Sequence, residues 1–447
     1  MPKIKKVVLI LPRSPLYRFK VGAFGHFIRY APLTLPTLAA LIPKEMNIEV
    51  AIYDEGVEII NKEKIKADLI GITAITGTVK RAYLYADYFR AKGIPVVMGG
   101  VHATLVPEEA LKHADSVVTG IAIETWPQLL RDFEKGEMKK LYSQPANVNF
   151  SGWPLPLRSL YQDKKIHFLS INSVQATFGC PNKCEFCVTP YSCKGYHHRP
   201  VEDVINEIKN IKARHMVFVD PSPIENKEYI KELYRAMIPL KKKWVSPSTI
   251  RMVDDDELLD LAARSGCKGL LIGFESVTDN TLKSISKEFN SKNKFYLAAK
   301  KFHARGIAIM GCFVFGLDSD DKSVFQKTID FINEAHIDLP RFTVNTPFPG
   351  TPFYKRMKEE GRIIEDNWLF YDCQHVVIKP KNMTAEELQA GHYWAWREAY
   401  KYSSIIKRLA GARSFLEVIP FSNLSYRKYG RNLPHYAKET MTALNNL

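Results

Sequence analysis

Long hydrophobic runs are missing from this sequence of 447 residues. A membrane-spanning helix needs about 20 consecutive, mainly apolar residues. The longest apolar stretches, such as residues 307–317, are much shorter and are typical of buried strands. Near the start, a short apolar run at residues 7–11 is followed by Arg13, with no cleavage motif of small residues. No signal peptide is therefore expected, and the protein is predicted to be cytoplasmic.

Acidic residues are scarcer than basic ones. The sequence has 48 Asp and Glu against 63 Lys and Arg, which gives a formal net charge of +15. Such an excess bears on partners and not on fold, and it fits nucleic acid, an anionic ligand or an acidic membrane surface. Apolar residues at 46% and charged residues at 25% are ordinary for a globular protein. This composition excludes a disordered or fibrous chain, and the length allows about three domains.

Cysteines are few as well. The seven cysteines are an odd number in a large chain for which no signal peptide is expected, so a disulfide framework is not expected either. The sequence also has no solenoid repeat and no low-complexity tract. What it does have is an alternation of strand and helix signals along most of its length.

The first 140 residues predict a doubly wound, Rossmann-like α/β domain. Short apolar runs with helical segments between them predict five strands, at residues 7–11, 49–53, 69–74, 95–98 and 116–118. Strands that alternate with helices form parallel sheets, and ligands of such sheets bind at the carboxyl ends of the strands. Here these ends are rich in Gly, Thr and Ser, as close contact between backbone and ligand requires.

Residues 166–345 predict a second α/β unit, a partial (β/α)6 barrel of the TIM type. Its predicted strands are residues 168–174, 216–219, 244–249, 269–274, 307–314 and 341–345. Six βα steps are fewer than the eight of a complete barrel. Between the two units, residues 141–165 are predicted to be a linker, because prolines interrupt them and no periodicity is present.

Residues 346–447 predict a mostly helical C-terminal region that caps the substrate site. Residues 386–407 form an aromatic-rich helical pattern. Residues 401–447 contain eight Lys and Arg but only two Asp and Glu. The aromatic residues and the charge are also compatible with a plain helical core and a solvated basic face.

Three cysteines lie close together, as Cys180, Cys184 and Cys187 in a C-x3-C-x2-C pattern. A structural zinc site usually takes four ligands from paired C-x2-C units, and no second pair is present, although Cys193 is available as a fourth ligand. Three thiolates on one short loop suit a [4Fe–4S] cluster with one open iron. Zinc binding and chance clustering of structural cysteines are the alternatives.

The pattern, with Phe186 just before its last cysteine and the first barrel strand ahead of it, resembles the radical S-adenosylmethionine (SAM) superfamily. The resemblance implies that SAM binds the open iron and is reductively cleaved to a 5′-deoxyadenosyl radical, which abstracts a hydrogen atom. The implied SAM contacts are Phe186 and Gly311 at the adenine, Asp220 and Ser222 at the amino group, Ser248 and Arg251 at the carboxylate, and Glu275 and Ser276 at the ribose. If the resemblance is set aside, each of these positions is interpreted as a residue at a strand end that interacts only with its local neighbours.

A doubly wound domain ahead of such a core resembles the cobalamin-binding domain of the B12-dependent radical SAM class. The resemblance implies corrinoid contacts at the strand ends, from Thr73, Thr76, Gly99, Gly100, His102, Gly120 and Glu124. The sequence has no Asp-x-His-x-x-Gly motif after its first strand, and Ile121 replaces the usual acidic residue after Gly120. His102 is therefore interpreted first as a turn-stabilising residue, and a Rossmann-like domain that binds no corrinoid is the alternative.

In the B12-dependent class the usual reaction is methylation of an unactivated carbon. The block at residues 346–384 is similar to enzymes that modify hopanoids and related lipids, which implies a large apolar substrate. The predicted function is thus cobalamin-dependent C-methylation of a lipid, a terpenoid or another secondary metabolite. The alternatives are a radical SAM enzyme that forms a ring, an ether or a carbon–carbon bond, an RNA-modifying radical SAM enzyme, and a non-catalytic iron–sulfur or zinc protein.

The partners expected from this interpretation are few. The cluster needs a low-potential electron donor of the flavodoxin or ferredoxin type. The basic C-terminal surface predicts peripheral contact with anionic lipid. Nucleic acid is not expected, because no RNA-binding domain follows the core.

Overall fold

The structure is a computed structural model that describes residues 4–13, 29–30, 32–145, 147–161, 170–278, 292–410 and 418–443. Its strands are β1 (Lys6–Leu11), β2 (Arg29–Tyr30), β3 (Glu49–Asp54), β4 (Leu69–Thr73), β5 (Val96–Gly99), β6 (Ser116–Thr119), β7 (Leu141–Ser143), β8 (Ser170–Val174), β9 (Thr177–Gly179), β10 (Tyr196–His198), β11 (His215–Phe218), β12 (Lys243–Ser248), β13 (Cys267–Glu275), β14 (Ala308–Phe315) and β15 (Leu339–Val344).

The helices follow the strands in regular alternation. The α-helices are α1 (Thr34–Ala40), α2 (Val79–Ala91), α3 (Val101–Leu105), α4 (Pro107–His113), α5 (Thr125–Lys135), α6 (Thr189–Ser192), α7 (Val201–Asn210), α8 (Lys227–Met237), α9 (Asp256–Arg264), α10 (Lys292–Ala304), α11 (Ser323–Glu334), α12 (Pro352–Glu359), α13 (Ala385–Ala399), α14 (Tyr402–Leu409) and α15 (Ile419–Ala443). Short 3-10 helices lie at Lys44–Met46, Lys62–Lys64, Thr76–Thr78, Arg158–Tyr161, Pro223–Glu225, Ile238–Leu240, Ile250–Asp254 and Trp368–Phe370.

The first sheet is parallel and doubly wound, as predicted. Its strand order is β3-β1-β4-β5-β6-β7. Every residue of β4 is buried, because helices cover both faces of the sheet. Phe89 of α2 packs in one apolar cluster with Ile70, and Leu129 of α5 packs in another with Leu69. The predicted Rossmann-like architecture is thereby confirmed.

The sixth strand of this sheet, β7, lies in the stretch predicted to be a linker. Residues 141–143 pair in parallel with β6. The strand is three residues long and alternates between exposed and buried positions, so it is too short to show a periodic pattern in the sequence. The first unit therefore extends a few residues beyond the predicted boundary at residue 140.

The second sheet is parallel and open. Its order is β15-β14-β13-β12-β11-β8-β2, so six strands follow chain order as predicted. Helices α7 to α11 pack outside the sheet, and their buried apolar residues form one core with it. The seventh strand, β2, pairs with β8 although it precedes most of the first sheet in sequence. In the described residues the two edge strands do not pair, so no closed barrel is found.

The C-terminal helices pack against the edge of the second sheet. Trp396 of α13 makes ring contacts with Tyr426 and Tyr429 of α15. Ile419, the first residue of α15, packs on Leu339 of β15. This part of the chain is helical, as predicted, and it covers the edge of the second sheet. No helix in the described ranges has the length and apolar character that crossing a bilayer requires.

One buried histidine in this cap gives the fold a pH dependence. His392 is completely buried, and its burial lowers its pKa to about 4. In the unfolded chain the imidazole takes up a proton near pH 6.5. The unfolded state therefore binds a proton that the folded state excludes, and the free energy of unfolding falls as the pH drops from about 6.5 towards 4.

We expect the variant His392→Gln to lose this pH-dependent part of the free energy of unfolding. It amounts to about 2 kcal/mol between pH 7 and pH 5. The measurement is urea unfolding of both proteins at the two pH values. The difference between the pH responses isolates His392 from all other groups. Equal pH responses would contradict the assignment.

Candidate active site

The three clustered cysteines lie on one loop at the carboxyl end of β8, between β9 and α6. All three are half-buried, and none of the seven cysteines, all within described ranges, forms a disulfide. The Cys187 N–H donates to the carbonyl of Cys184 at 3.1 Å, which closes a turn. The Asn182 amide donates to Cys180 Sγ at 3.3 Å. The loop therefore presents three thiols and one side-chain donor on a short stretch of backbone.

This donor set fits an iron–sulfur cluster better than zinc. Within the described ranges, no three His, Cys, Asp or Glu side chains are grouped as ligands of one metal ion. The three ligands of a cubane bind three different irons, so they need not converge. Cys193 is a poor fourth ligand, because its burial raises the pKa of the thiol and a metal ligand must be a thiolate.

An ion-pair network ties this cysteine loop to the C-terminal region. Arg356 of α12 donates to Glu185, between two of the cysteines, at 2.7 Å and to Asp318 at 2.6 Å. The Phe353 N–H donates to the carbonyl of Glu185 at 3.0 Å. Burial raises the pKa of Asp318, but hydrogen bonds led by that from Arg362 outweigh it and lower the pKa to about 2. The network therefore stays ionised and holds the loop.

We expect Arg356→Gln to loosen the cysteine loop, because Glu185 loses its ion pair with α12 while Asp318 keeps Arg362. The predicted loss is about 2 kcal/mol of local stability, seen as a several-fold faster loss of iron from the reconstituted protein on exposure to a chelator. The matched control is Arg235→Gln on α8, which removes a surface ion pair with Glu257 of α9. Equal iron loss in both variants would contradict a positioning role for Arg356.

Phe186 is part of the cysteine loop, directly before Cys187. It packs against both the barrel core and a small C-terminal cluster that contains Phe353. The residue therefore joins the cysteine loop to two apolar layers. Its contact with adenine stays a prediction.

Asp220, which was expected to meet the amino group of SAM, has a completely buried side chain. It accepts the N–H of Ala176 at 3.1 Å and the hydroxyl of Thr177 at 2.7 Å. Burial raises its pKa to about 6. Asp220 thus supports the backbone just ahead of Cys180, and its contact with SAM stays a prediction.

Next to it, Ser222 and Arg251 meet on a carboxylate that sequence reasoning missed. Ser222 Oγ donates to Glu225 at 2.6 Å, and Arg251 pairs with the same carboxylate. The Asn182 amide also donates to Glu225 at 3.2 Å. Glu225 therefore joins two predicted SAM residues to the cysteine loop. The signal available in the sequence was a carboxylate in the loop after β11.

Three other predicted SAM residues lie at neighbouring strand ends. Ser248 is buried and bonds locally to the carbonyl of Thr249 at 3.4 Å. Ser276 bonds to Thr278 at 3.1 Å. Glu275 has a φ of 64°, at a bulge opposite Phe313. Left-handed backbone in a residue other than glycine costs of order 1 kcal/mol and is frequent at ligand sites, so Glu275 is the best supported of the three.

Gly311 lies in β14, where a side chain on it would meet Ile337 at 2.8 Å and Phe274 at 3.2 Å. Both neighbours belong to the apolar core shared with the outer helices. The small size of Gly311 therefore serves packing between sheet and helices, and its contact with adenine stays a prediction.

A cavity of about 380 Å³ lies between the two sheets. On one side it is lined by strand ends of the first sheet, with four of the predicted corrinoid residues: Thr73, Gly99, Gly100 and Gly120. On the other side it is lined by Gln175, Phe178 and Val219 of the barrel. Gly100 has a φ of 91°, and a side chain there would lie 2.6 Å from Thr73 Oγ1. Only glycine suits this turn.

The remaining predicted corrinoid residues do not line this cavity. His102 is completely buried and lies 3.3 Å from Thr76 Oγ1 and 3.4 Å from Glu109. Glu124 accepts the N–H of Asn149 at 3.0 Å. Thr76, His102 and Glu124 thus interact with neighbouring protein groups, and their contact with a corrinoid stays a prediction.

Glu109 is the centre of this second network. It accepts the indole N–H of Trp368 at 3.0 Å and the hydroxyl of Tyr83 at 2.9 Å. The interaction with the His102 ring, 3.4 Å away, is the largest cause that lowers the pKa of Glu109 to about 2. The ionised carboxylate of Glu109 thus links Trp368 of the C-terminal region to the first domain.

A parallel partial barrel with three cysteines at the carboxyl end of its first main strand defines an iron–sulfur enzyme core, and comparisons with known proteins agree. The model of the radical SAM superfamily matches residues 174–332. The chain is 32% identical to the bacteriochlorophyllide d C-12(1)-methyltransferase of Chlorobaculum tepidum, over 96% of this chain and 94% of the relative. It is 21% identical to the hopanoid C-2 methylase of Rhodopseudomonas palustris, over 81% and 72% of the two chains.

A solved structure shows the same fold over almost the whole length. The cobalamin-dependent S-adenosylmethionine radical enzyme OxsB, with aqua-cobalamin and S-adenosylmethionine bound, superposes with a TM-score of 0.70 at 16% identity, over 99% of this chain and 75% of that chain. The chain belongs to the radical SAM superfamily, whose cofactors are a [4Fe–4S] cluster and SAM. The prediction of a radical SAM enzyme is confirmed.

Proposed function

We propose that this enzyme transfers a methyl group from cobalamin to an unactivated carbon of a large, mainly apolar ring compound. The observation that carries the proposal is the cavity that opens to both the first sheet and the barrel. The relatives in the comparison methylate a bacteriochlorophyllide and a hopanoid. A substrate of the tetrapyrrole or polycyclic-lipid kind follows for this chain, and the hopanoid relative supports the expectation of a lipid.

The residues of the cavity fit a corrinoid. Part of its lining is apolar, with Leu9, Leu38, Val97, Val118 and Trp126. This part suits an uncharged aromatic portion of the corrinoid. Its mouth exposes backbone at Gly99, Gly100 and Gly120, where a flat macrocycle with amide side chains can approach closely. The proposed corrinoid is therefore held by apolar contacts and exposed backbone. This agrees with the absence of an Asp-x-His-x-x-Gly motif, which would offer a histidine to the cobalt.

Cofactors supply the difficult chemistry in this proposal: the cluster and SAM provide the radical, and cobalamin provides the methyl group. The chain's own residues bind and orient them. Cys180, Cys184 and Cys187 hold the cluster, and Asp220 fixes the backbone that precedes them. Glu225, with Ser222 and Arg251, forms the polar wall where the SAM amino and carboxylate groups are proposed to lie.

The proposed domain division follows the same logic. Residues 1 to about 145 form the cobalamin-binding domain, which includes β7, and a short connection follows it. Residues 166–345 form the radical SAM core, and residues 346–447 cap the substrate. We place the enzyme in the cytoplasm, near a membrane surface, where a flavodoxin- or ferredoxin-type donor reduces the cluster.

The test uses SAM labelled with deuterium in its methyl group. The reconstituted enzyme is incubated anaerobically with cobalamin, a reductant and either a chlorophyllide or a hopanoid, and the product is analysed by mass spectrometry. We expect a product that carries one labelled methyl group only when cobalamin is present. An unlabelled product that has lost hydrogen would instead show ring or bond formation and would overturn the methyl-transfer proposal.

A further inference from the structure

The helices α14 and α15 together present an apolar surface to solvent. The large exposed side chains on it are Tyr402 (59%), Ile406 (68%), Phe421 (45%) and Leu424 (51%). The two helices meet where the Arg427 guanidinium is 3.9 Å from the centre of the Tyr402 ring and where Arg408 donates to Asn423 at 2.7 Å. The exposed side chains of α14 and α15 are called the C-terminal face below.

The C-terminal face is also basic. Residues 401–410 and 418–435 contain six Lys and Arg and no Asp or Glu. Lys407, Lys428 and Arg431 are exposed. Lys401 is exposed too and pairs with Glu398 of α13. Along α15, Phe421, Leu424, Lys428 and Arg431 follow one another at intervals of three or four residues, so apolar and cationic side chains form one continuous stripe.

The opposite side of α15 faces the active-site end of the barrel. The Tyr429 hydroxyl donates to Gln374 Oε1 at 3.1 Å. Gln374 is buried and follows Cys373, whose carbonyl accepts the N–H of Val344 at the carboxyl end of β15. One helix therefore separates the exposed surface from the strand ends that carry the chemistry.

We propose that the C-terminal face docks on an anionic lipid bilayer, with its apolar side chains among the headgroups and its lysines and arginines on lipid phosphates. A helix surface with apolar and cationic side chains binds such an interface. Nucleic acid would satisfy the cations but leave four large apolar side chains in water. A two-fold dimer through this face would bring its cations against their own copies. This inference goes beyond the proposed methyl transfer, and its test does not use the reaction.

The test is co-sedimentation of the full chain with vesicles. We expect binding to vesicles that contain phosphatidylglycerol, weaker binding at high salt and none to pure phosphatidylcholine. The double variant Lys428→Gln/Arg431→Gln is expected to bind about 25-fold more weakly, at about fivefold per cation. Ile406→Ser/Leu424→Ser is expected to lose at least about tenfold, since each change removes a large apolar side chain.

The matched control is Ile59→Ser/Lys66→Gln on the first domain, where Ile59 is 97% exposed, and it should bind vesicles like the wild type. Equal loss in the control, or no binding to anionic vesicles, would overturn the proposal. So would a dimer in light scattering that Ile406→Ser/Leu424→Ser dissociates without any vesicle binding, because the face would then join two copies of the chain. None of these results depends on whether the enzyme methylates its substrate.

Discussion

Replacing Cys184 by serine is expected to abolish the iron–sulfur cluster and, with it, the cleavage of SAM. A serine hydroxyl is not a thiolate, and a cluster held by only three protein ligands has none to spare. The variant should bind little iron after anaerobic reconstitution and lack the broad visible absorption of the cluster. Formation of 5′-deoxyadenosine should fall by at least about a thousandfold, since reductive cleavage has no other source of electrons.

Cys193→Ser is the matched control for this change. Cys193 is close in sequence, but its burial raises the pKa of its thiol. We expect this variant to keep its iron and to cleave SAM at the wild-type rate. Loss of the metal in both variants, with zinc bound by the wild type, would show a four-cysteine zinc site and contradict the cluster assignment.

Filling the cavity between the sheets is expected to eliminate corrinoid binding while the cluster remains. Gly99 lines that cavity, and a Cβ there would meet the carbonyl of Val118 at an ordinary 3.5 Å. Gly99→Leu therefore starts from a Cβ that fits and adds three further carbons at the lining of the cavity. We expect at least about a hundredfold weaker retention of cobalamin, about 3 kcal/mol for an overpacked site, with iron content and SAM cleavage unchanged.

The graded control is Gly99→Ala, whose single methyl group fits in van der Waals contact and should leave most binding intact. Equilibrium dialysis with hydroxocobalamin measures the affinity of both variants. Wild-type affinity in Gly99→Leu would show that the corrinoid does not use this cavity. Loss of the cluster in the same variant would show a folding defect instead.

The parts predicted from the sequence are those that depend on local pattern. The buried strands β1, β4 and β14 show as apolar runs because parallel strands are covered on both faces. The cysteine loop is recognisable because three cysteines lie within eight residues. The turn at Gly100 is marked by two glycines directly after a strand, and the structure shows why the second must be glycine.

The parts that escaped prediction depend on tertiary contacts. β2 has two residues and β7 has three, too few for any periodicity. Arg356 meets Glu185 across 171 positions of sequence, and no local pattern couples them. The two strands form only when they pair with β8 and β6, and the ion pair forms only when the barrel and the C-terminal region come together.

Asp220 and Gly311 show what the sequence does not reveal about a strand end. Both lie at positions where a ligand contact is expected by resemblance, and the structure adds that Asp220 supports backbone and Gly311 serves packing. A position at a strand end fixes where a side chain begins, but it does not determine which neighbouring group that side chain contacts. Glu225 carries the polar function next to Asp220, and its interaction with Arg251 shows only in three dimensions.

The corrinoid content of the wild-type enzyme is the most direct test of cobalamin-dependent methyl transfer. The protein is purified and reconstituted without oxygen, mixed with hydroxocobalamin, desalted, and analysed by visible absorption together with its iron content. We expect about one retained cobalamin per chain, together with an intact cluster. A protein that keeps its cluster and cleaves SAM but retains no cobalamin would contradict methyl transfer and favour bond formation by the adenosyl radical alone.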